Sequence, residues 1–281
     1  MSRPLYRDLA SLSIPPTAHP GLVFDKFSDG WTPDGHIADG AKPSFYRDTV
    51  RRAAGAANTL QPGLKTALAR RQALVDSLGG ATFRLVTESR LVSGLGTGHP
   101  FDAGFVWHRT LGIPYLPGSS LKGVAREWMR ETEGADQAAR LFGPEGSSAD
   151  RKPATGALIV FDGLPVAPPI LEVDVMNPHY GDYYVDVRGR TPPASYHSPI
   201  PVSFLTVSAG QSFVFAVARR PGFSASVSGE VASSILAAGQ RFLREALTAI
   251  GAEVLGFTTA FLTPVSHLYN INQAVNRSAV I

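Results

Sequence analysis

The sequence predicts an α+β fold in which helices back an antiparallel sheet. Short runs of alternating or continuous apolar residues have the length of strands, and two longer segments place their apolar residues at helical spacing. The 28 Gly and 22 Pro among 281 residues also require many turns and long connections. With 44% hydrophobic residues, the chain is long and apolar enough to fill a substantial core.

The N-terminal part predicts an arm followed by helices. Residues 1–43 are rich in Pro, Gly and Asp, and we expect little regular structure there. Over residues 44–78 the composition changes to Ala, Leu, Arg and Lys, with apolar residues near helical spacing. Pro62 removes a backbone donor in the middle of this segment, so two helices interrupted near residues 61–63 are predicted. The region 1–80 would form an arm and a helical extension packed on the core.

The core elements come next. Phe83 and Leu85 alternate with Arg84, which is the period of a half-buried strand, and this strand is predicted over residues 81–92. After it, the residues that follow Pro117 place apolar side chains on one helical face. The remaining predicted elements are a strand over 156–162, strands over 202–207 and 212–218, a helix over 230–250 and a strand over 254–262.

The order of these elements predicts a topology. Residues 208–211 have the composition of a hairpin turn between the two strands that flank them. Counted from Phe83, the elements run strand, helix, strand, strand, helix, strand, which is the ferredoxin-like order. A sheet backed by two helices leaves one face open, the arrangement that RNA-recognition modules use. We therefore predict a ferredoxin-like domain over residues 81–265, with a thumb-like insertion at 167–199 and a tail at 266–281.

Composition narrows the classes of function. The 26 Lys and Arg exceed the 23 Asp and Glu, and the resulting charge of +3 is only mild evidence for an anionic partner. The absence of Cys excludes disulfides, thiolate zinc sites and cysteine nucleophiles. The seven His lack the i, i+4 pair of a helical metal site, so we expect no metal or other cofactor. Residues 1–20 contain no apolar run of signal-peptide length, and a cytoplasmic protein without membrane contact is expected.

Residues 113–126 form the most informative motif. They read Ile-Pro-Tyr-Leu-Pro-Gly-Ser-Ser-Leu-Lys-Gly-Val-Ala-Arg, which combines a rigid approach, a turn of small residues and a helix start. Ser119 or Ser120 is a natural N-cap for that helix. The free N–H groups and the positive dipole end at such a start suit a phosphate group.

A cationic stripe continues from this helix start. Lys122, Arg126 and Arg130 recur every four residues on one helix face. The alternative is an ordinary capped helix with a solvated basic face, and the spacing alone favours neither interpretation. The motif is not a P-loop, because the order Gly-Lys-Ser/Thr is missing, so nucleotide hydrolysis is disfavoured.

The connection between residues 172 and 198 is a second candidate RNA contact. Its tyrosines could stack on bases and its arginines could bind phosphates, or the tyrosines could pack on the domain instead. His179 with Asp174 or Asp182 could also form an acid–base pair for RNA cleavage, although such a His is more often structural or in contact with RNA. Five arginines in the N-terminal helical part could contact RNA or an acidic neighbour, or be solvated: Arg47, Arg51, Arg52, Arg70 and Arg71.

The core of the motif is specific to one family. Pro-Gly-Ser-Ser-Leu-Lys-Gly at residues 117–123, followed by Arg126, strongly resembles the signature of the RAMP superfamily of CRISPR-associated proteins. Residues 90–96, with the spaced Gly104 and His108, resemble the family of sixth subunits of the Cmr complex, which is the type III-B effector.

Further segments extend the resemblance along the chain. Leu-Phe-Gly at residues 141–143 and Asn-Pro-His-Tyr at residues 177–180 also resemble that family, so that the similarity covers about residues 22–262. One departure lies near the C-terminus, where residues 251–259 keep only two glycines of the glycine-rich loop that many RAMP proteins carry. A phosphate cradle is therefore not expected there.

The resemblance implies a non-catalytic structural subunit of a type III CRISPR ribonucleoprotein in antiviral defence against foreign RNA. It would hold the guide RNA near its 3′ end and cap the backbone filament. Its partners would be the guide RNA, the target RNA and other Cmr-type subunits, especially the repeated backbone subunit. The alternatives are a RAMP endoribonuclease that processes guide RNA or cleaves target RNA with His179 or Asp102, and a subunit that contacts only protein neighbours. The predicted RNA-binding residues are Gly94, Gly96, Gly98, His108, Pro117, Gly118, Ser119, Ser120, Lys122, Gly123, Arg126, Arg130, Asn177, His179, Tyr180 and Arg188.

Overall fold

A computed structural model gives the order of elements along the chain. It describes residues 13–38, 40–144, 155–177, 201–222, 229–249 and 262–264, together with positions 183, 186, 188, 190, 192 and 199. The helices within these residues are α1 (Pro20–Lys26), α2 (Ala41–Ser77), α3 (Gly118–Glu133), α4 (Ala135–Phe142) and α5 (Gly229–Ala249). The strands are β1 (Ala81–Thr87), β2 (Leu158–Val160), β3 (Leu164–Pro165), β4 (Leu171–Met176), β5 (Val202–Val207), β6 (Ser212–Arg219) and β7 (Leu262–Pro264).

Strands β1 and β6 form the centre of the larger sheet. Its order is β2-β6-β1-β7, with β3 also paired to β6, and every pair is antiparallel. Because α3 lies between β1 and β2 in the chain, and α5 between β6 and β7, this is the ferredoxin-like arrangement. The predicted fold class is confirmed. Most of the predicted strand over 254–262 and the predicted tail lie outside the described residues.

One face of the sheet packs on α3 and α5. The rings of Phe83 and Phe215 stack with their centroids 5.5 Å apart, and the guanidinium of Arg244 on α5 lies 4.9 Å from the Phe83 centroid. Phe83 and Leu85 are buried and Arg84 is exposed, so the predicted alternation is confirmed. Full burial of one such apolar side chain stabilises the fold by roughly 1.5–3 kcal/mol. The buried face of α3 is formed by Leu121, Ala125 and Met129.

The opposite face of the sheet is not open, which corrects the sequence-based expectation. Ala216 and Ala218 point away from Phe215 because side chains alternate along a strand, yet both are fully buried. Helix α2 contacts β1, β6 and the small sheet, and thereby covers this side. Arg71 of α2 anchors the helix by donating to the carbonyl oxygens of Asp162 and Val214.

Helix α2 runs without a break through Pro62, so the predicted interruption is wrong. A proline inside a helix lacks one N–H and costs about 3 kcal/mol relative to Ala. However, Ala56 on one side of Pro62, and Leu64 and Val75 on the other, are fully buried. Their burial outweighs the cost, because a break in α2 would expose apolar surface on one of the two sides.

A short helix lies in the N-terminal arm, where little regular structure is predicted. The Nδ1 atom of His19 accepts the N–H of Leu22 at 2.9 Å and caps α1, and Pro20 occupies its first turn. The ring of Phe24 is buried and stacks on His99, with the ring centroids 4.3 Å apart. This packing against a distant ring stabilises a helix of only seven residues, which local composition does not reveal.

Strands β5 and β6 do not form the predicted hairpin. β5 pairs with β4 in a separate two-stranded sheet, whereas β6 pairs with β1. The turn between them is held by Thr87, whose carbonyl accepts the N–H of Gly210 at 2.7 Å and whose hydroxyl accepts that of Gln211 at 3.0 Å. Consequently β1 ends at Thr87, earlier than predicted, and Leu91 bridges Val207. Among the described helices, none is both long and apolar enough to cross a membrane.

Candidate nucleic-acid interface

The start of α3 is capped by a carboxylate from a neighbouring loop. The helix begins at Gly118, with Pro117 in the N-cap position and no side-chain cap, so the predicted Ser119 or Ser120 cap is wrong. The Gly118 N–H donates to Oδ1 of Asp162 at 2.7 Å. A Cβ atom at position 118 would lie 2.5 Å from the carbonyl oxygen of Val160, so only glycine allows the helix to approach β2 this closely.

Asp162 therefore occupies part of the predicted phosphate site. Gly118 is buried, its N–H already has an anionic acceptor, and only Ser119 is exposed in the first turn. A carboxylate at a helix N-terminus stabilises it by roughly 0.3–1 kcal/mol and satisfies an otherwise unpaired donor. A phosphate at the Gly118 amide would have to displace Asp162. The other candidate contact for an anion is the side of α3.

The side of α3 carries two of the three predicted cations. Lys122 and Arg126 are both half-buried, one helical turn apart, and we call them the cationic side of α3. Nη1 of Arg126 lies 3.5 Å from the carbonyl oxygen of Pro144. Burial lowers the pKa of the Lys122 ammonium, and the positive charges of Arg220 and Arg126 lower it further. Two arginines thus lie close enough to repel this lysine. Gly123, the other predicted residue here, is half-buried.

Arg130 is placed differently from the other two cations of the stripe. Its Nε donates to Glu127 at 2.9 Å, and Nη2 donates to the second carboxylate oxygen. These hydrogen bonds lower the pKa of Glu127. The charge of Arg130 is thereby balanced by an acid within its own helix turn.

The glycine-rich turn after β1 divides into a buried and an exposed part. Gly94 is buried against Val106, and its carbonyl accepts the N–H of Thr97 at 2.9 Å. Gly96 and Gly98 are exposed. Gly94 therefore has a packing role, and any contact of this turn with RNA would be made by its exposed half.

His108 closes its own loop and lies beside an aromatic ring. Its Nδ1 accepts the N–H of Leu111 at 3.3 Å, which leaves the hydrogen of the neutral ring on Nε2. The ring meets Tyr115 edge to face, with centroids 5.3 Å apart. Burial lowers the pKa of His108. The loop hydrogen bonds account for one ring nitrogen, and a role for the other in RNA contact stays a prediction.

The predicted thumb-like insertion is described only in part. Asn177 is exposed at the end of β4, and the exposed Arg188 donates its backbone N–H to Asp186 at 2.9 Å. His179 and Tyr180 lie outside the described residues. Their predicted roles in RNA binding, and the domain boundaries predicted for this insertion, stay predictions.

Two acidic residues considered for catalysis have structural partners. Asp102 pairs with Lys42 of α2 at 2.7 Å and has a backbone φ of 79°. Asp174 accepts from Nη1 of Arg90 at 2.9 Å, while Nε of the same arginine binds Glu172 at 2.9 Å. In the described part of the chain, no group of three or more His, Cys, Asp or Glu is placed to hold a metal ion.

Sequence reasoning missed two residues of this region. Asp162 follows β2 immediately before Gly163, and Arg220 follows β6 before a Pro-Gly pair, so both have local turn signals. Those signals predict where the strands end, but they do not show which distant residues Asp162 and Arg220 contact in the fold. Arg220 donates from Nε to the carbonyl oxygen of Gly156 at 3.1 Å and so approaches Lys122 from a separate element.

Known proteins resemble this chain in sequence. The RAMP superfamily pattern matches residues 84–253. "CRISPR system Cmr subunit Cmr6" of Pyrococcus furiosus is 29% identical over 210 residues, which cover 52% of this chain and 60% of that protein. "CRISPR system CMR subunit Cmr6" of Saccharolobus solfataricus is 27% identical over 128 residues, which cover 43% of each. The chain thus spans about half the length of the curated relatives that it matches.

A solved structure supports the fold. A chain in the cryo-EM structure of the type III-B Cmr-beta complex bound to cognate target RNA superposes with a TM-score of 0.53 at 18% identity, covering 78% of this chain and 72% of that one. At this identity the likeness concerns the fold alone. Because the superfamily pattern extends over more than half of the chain, from β1 through α5, the chain belongs to the RAMP superfamily.

Proposed function

We propose that the chain is an RNA-binding subunit, without catalytic activity, of a type III CRISPR ribonucleoprotein effector complex. In this role it holds the guide RNA near its 3′ end, caps the filament of backbone subunits and serves defence against foreign RNA. Its partners are the guide RNA, the target RNA and other Cmr-type subunits. Membership of the RAMP superfamily and the similarity to two Cmr6 proteins support this assignment.

The observation that carries RNA binding is the cationic side of α3. Lys122 and Arg126 lie one turn apart on a helix that packs its other face into the core. An RNA backbone supplies a phosphate charge at every nucleotide, and lysine and arginine are the side chains that neutralise it. The repulsion between Lys122 and the neighbouring arginines is relieved when an anion binds between them.

The contacts of the acidic residues support a non-catalytic role. Asp102 is paired with Lys42, and Asp174 is held by Arg90, so each carboxylate has a partner other than a catalytic histidine. A general base must lie within hydrogen-bond distance of the proton that it takes, and its pKa has to suit that task. Both acids instead link separate elements of the fold.

Filter binding of labelled guide-type RNA to the full chain tests the proposal. The double variant Lys122→Ala with Arg126→Ala is expected to bind at least tenfold more weakly. The slope of log affinity against log salt should fall by about 0.7 for each lost phosphate contact. The control is Arg51→Ala with Arg241→Ala, which removes the same charge from arginines that pair with Asp48 and Glu133. Equal affinity and slope in the wild type and in the double variant would contradict the proposal.

The two alternative functions, an endoribonuclease and a subunit that contacts only proteins, are each tested by a separate experiment. Incubation of the same RNA with the full chain, with and without magnesium, is expected to leave it intact. Cleavage that disappears in Asp102→Ala or His179→Ala would instead identify an endoribonuclease. In the assembled complex, crosslinks between this chain and RNA are expected. Crosslinks to protein neighbours alone would identify a subunit that does not bind RNA.

A further inference from the structure

Two chain segments meet very closely beside the cationic side of α3. Gly143, which ends α4 with a backbone φ of 93°, lies against Gly156, which precedes β2. A Cβ atom at position 156 would collide with the backbone of Phe142 and Gly143, and at 2.5 Å with the carbonyl oxygen of Leu141. This junction, which we call the glycine seam, therefore requires glycine at position 156 and holds two backbone segments at a fixed separation.

Three cations from two separate parts of the chain converge on the glycine seam. Nζ of Lys122 lies 3.7 Å from the position that a Cβ atom would take at Gly143. Arg126 approaches the carbonyl oxygen of Pro144, and Nε of Arg220 donates to that of Gly156 at 3.1 Å. Lys122 and Arg126 belong to α3, whereas Arg220 follows β6 and lies 94 residues further along the chain than Arg126. The fold therefore adds a third positive charge that the helix motif does not contain.

The electrostatic surroundings of Lys122 favour an anion beside it. Burial and the charges of Arg220 and Arg126 all disfavour the protonated form of Lys122. An anion beside Lys122 would favour its protonated form, so anion binding and protonation of this lysine support each other. Among the described residues, the Arg220 guanidinium donates one of its five N–H groups, to Gly156, and this bond fixes the direction in which the others point.

We propose that Lys122, Arg126 and Arg220 together bind one phosphodiester segment of the RNA backbone. Arg220 lies outside α3, and its charge is required for this binding. This inference rests on the proposed function and specifies where the RNA is bound. Arginine presents a planar fork that matches phosphate oxygens, and lysine adds a point charge. An RNA strand carries successive phosphates, which can contact cations from separate parts of the chain at the same time. A single protein carboxylate is therefore the weaker fit.

Substitution of Arg220 in the full chain tests the inference by filter binding with labelled RNA over a series of salt concentrations. Arg220→Ala is expected to lower the affinity about tenfold and the salt slope by about 0.7. Arg220→Gln keeps a donor for the Gly156 carbonyl but loses the charge, so it should fold like the wild type and show the same loss. The matched control is Arg219→Ala, because the guanidinium of this adjacent arginine lies beside Gly79, at the end of α2.

A double-mutant cycle shows whether the cations share one ligand. If Lys122 and Arg220 contact the same segment, the loss in Lys122→Ala with Arg220→Ala will be smaller than the product of the two separate losses. Independent, multiplicative losses would overturn the shared site. Circular dichroism and the midpoint of thermal unfolding identify any variant that has lost its fold. If Arg220→Ala is such a variant, the RNA affinity of Arg220→Gln decides the result.

The outcomes separate this inference from the proposed function. Wild-type RNA affinity in Arg220→Gln, together with weak binding in the double variant of α3, would overturn the shared site and leave the proposed function standing. Wild-type affinity in all of these variants would contradict both. If Arg220→Gln binds RNA normally but fails to join the assembled complex, the cations bind a protein neighbour, and the inference is wrong.

Discussion

The carboxylate of Asp162 accepts the N–H of Gly118 at the point where α3 begins, at a distance of 2.7 Å. These two residues are 44 positions apart in the sequence, and the loop that carries Asp162 is itself held by Arg71. The N–H of Gly118, the first in α3, is therefore not available to an external phosphate. We therefore place the proposed contact with RNA on the side of α3, where the cations lie, and not at the helix start.

Replacement of Asp162 should have opposite effects on folding and on RNA binding. Asp162→Ala removes the acceptor of the Gly118 N–H, so the free energy of unfolding is expected to fall by roughly 0.5–2 kcal/mol in urea denaturation. The affinity for RNA should rise about twofold to fourfold, because the Gly118 N–H becomes available to a phosphate and a negative charge at the start of α3 is lost. Asp162→Asn keeps an acceptor and should lose less stability. The control is Asp136→Asn, a charge removal in the first turn of α4. Weaker RNA binding in Asp162→Ala would contradict this account.

Arg71 is expected to contribute strongly to stability. It donates to the carbonyl oxygens of Asp162 and Val214, and burial lowers its pKa to about 10, still well above neutral pH. Arg71→Ala leaves two carbonyl groups without their donor, and we expect a loss of roughly 2–4 kcal/mol in the free energy of unfolding. The neighbouring Arg70 is exposed, so Arg70→Ala should change stability by less than about 0.5 kcal/mol. Equal effects of the two substitutions would show that these hydrogen bonds do not anchor α2.

Pro62 offers a test of the continuous helix α2. Proline is exposed there and lacks the N–H that would bond within the helix, so Pro62→Ala should raise the free energy of unfolding by roughly 1–3 kcal/mol. Gln61→Ala, at the adjacent position, should have an effect within about 0.5 kcal/mol. Unfolding in urea measures both. A loss of stability in Pro62→Ala would indicate that the chain is bent at this position.

Local patterns predicted the parts of the fold that depend on periodicity. The alternation of Phe83 and Leu85 with Arg84, and the apolar spacing after Pro117, directly reflect burial on one side of a strand and of a helix. The four-residue interval between Lys122 and Arg126 likewise predicted that the two side chains lie on one face of the helix. These elements are encoded within a few residues of each other.

The features that the sequence did not predict depend on distant partners. Pro62 locally favours a break, and only the burial of Leu64 and Val75 against the rest of the fold overrides it. The turn before β6 has the composition of a hairpin turn, but Thr87 accepts its N–H groups and β6 pairs with β1 instead of β5. Arg220 lies near Lys122 because strand β6 ends beside the glycine seam. No sequence spacing relates positions 122 and 220.

His99 should make stability depend on pH. Its ring is stacked on Phe24, its Nδ1 accepts the N–H of Phe101 at 3.2 Å, and its Nε2 lies 3.1 Å from the carbonyl oxygen of Phe24. Both contacts suit a neutral ring with its hydrogen on Nε2. Burial lowers the pKa of His99 below its ordinary value of 6.5, so the unfolded chain binds more protons than the folded chain between the lowered pKa and 6.5.

The free energy of unfolding is therefore expected to rise with pH through this window and to level off above about 6.5. Urea denaturation at half-unit pH intervals measures the rise, and His99→Gln should reduce it. His36→Gln is the control, because that histidine is exposed. Asp25, whose pKa is raised by burial from 3.8, acts with the opposite sign, since its protonated form is favoured in the folded chain and stability falls as it ionises. A rise of the same size in His99→Gln and in the wild type would show that another group causes it.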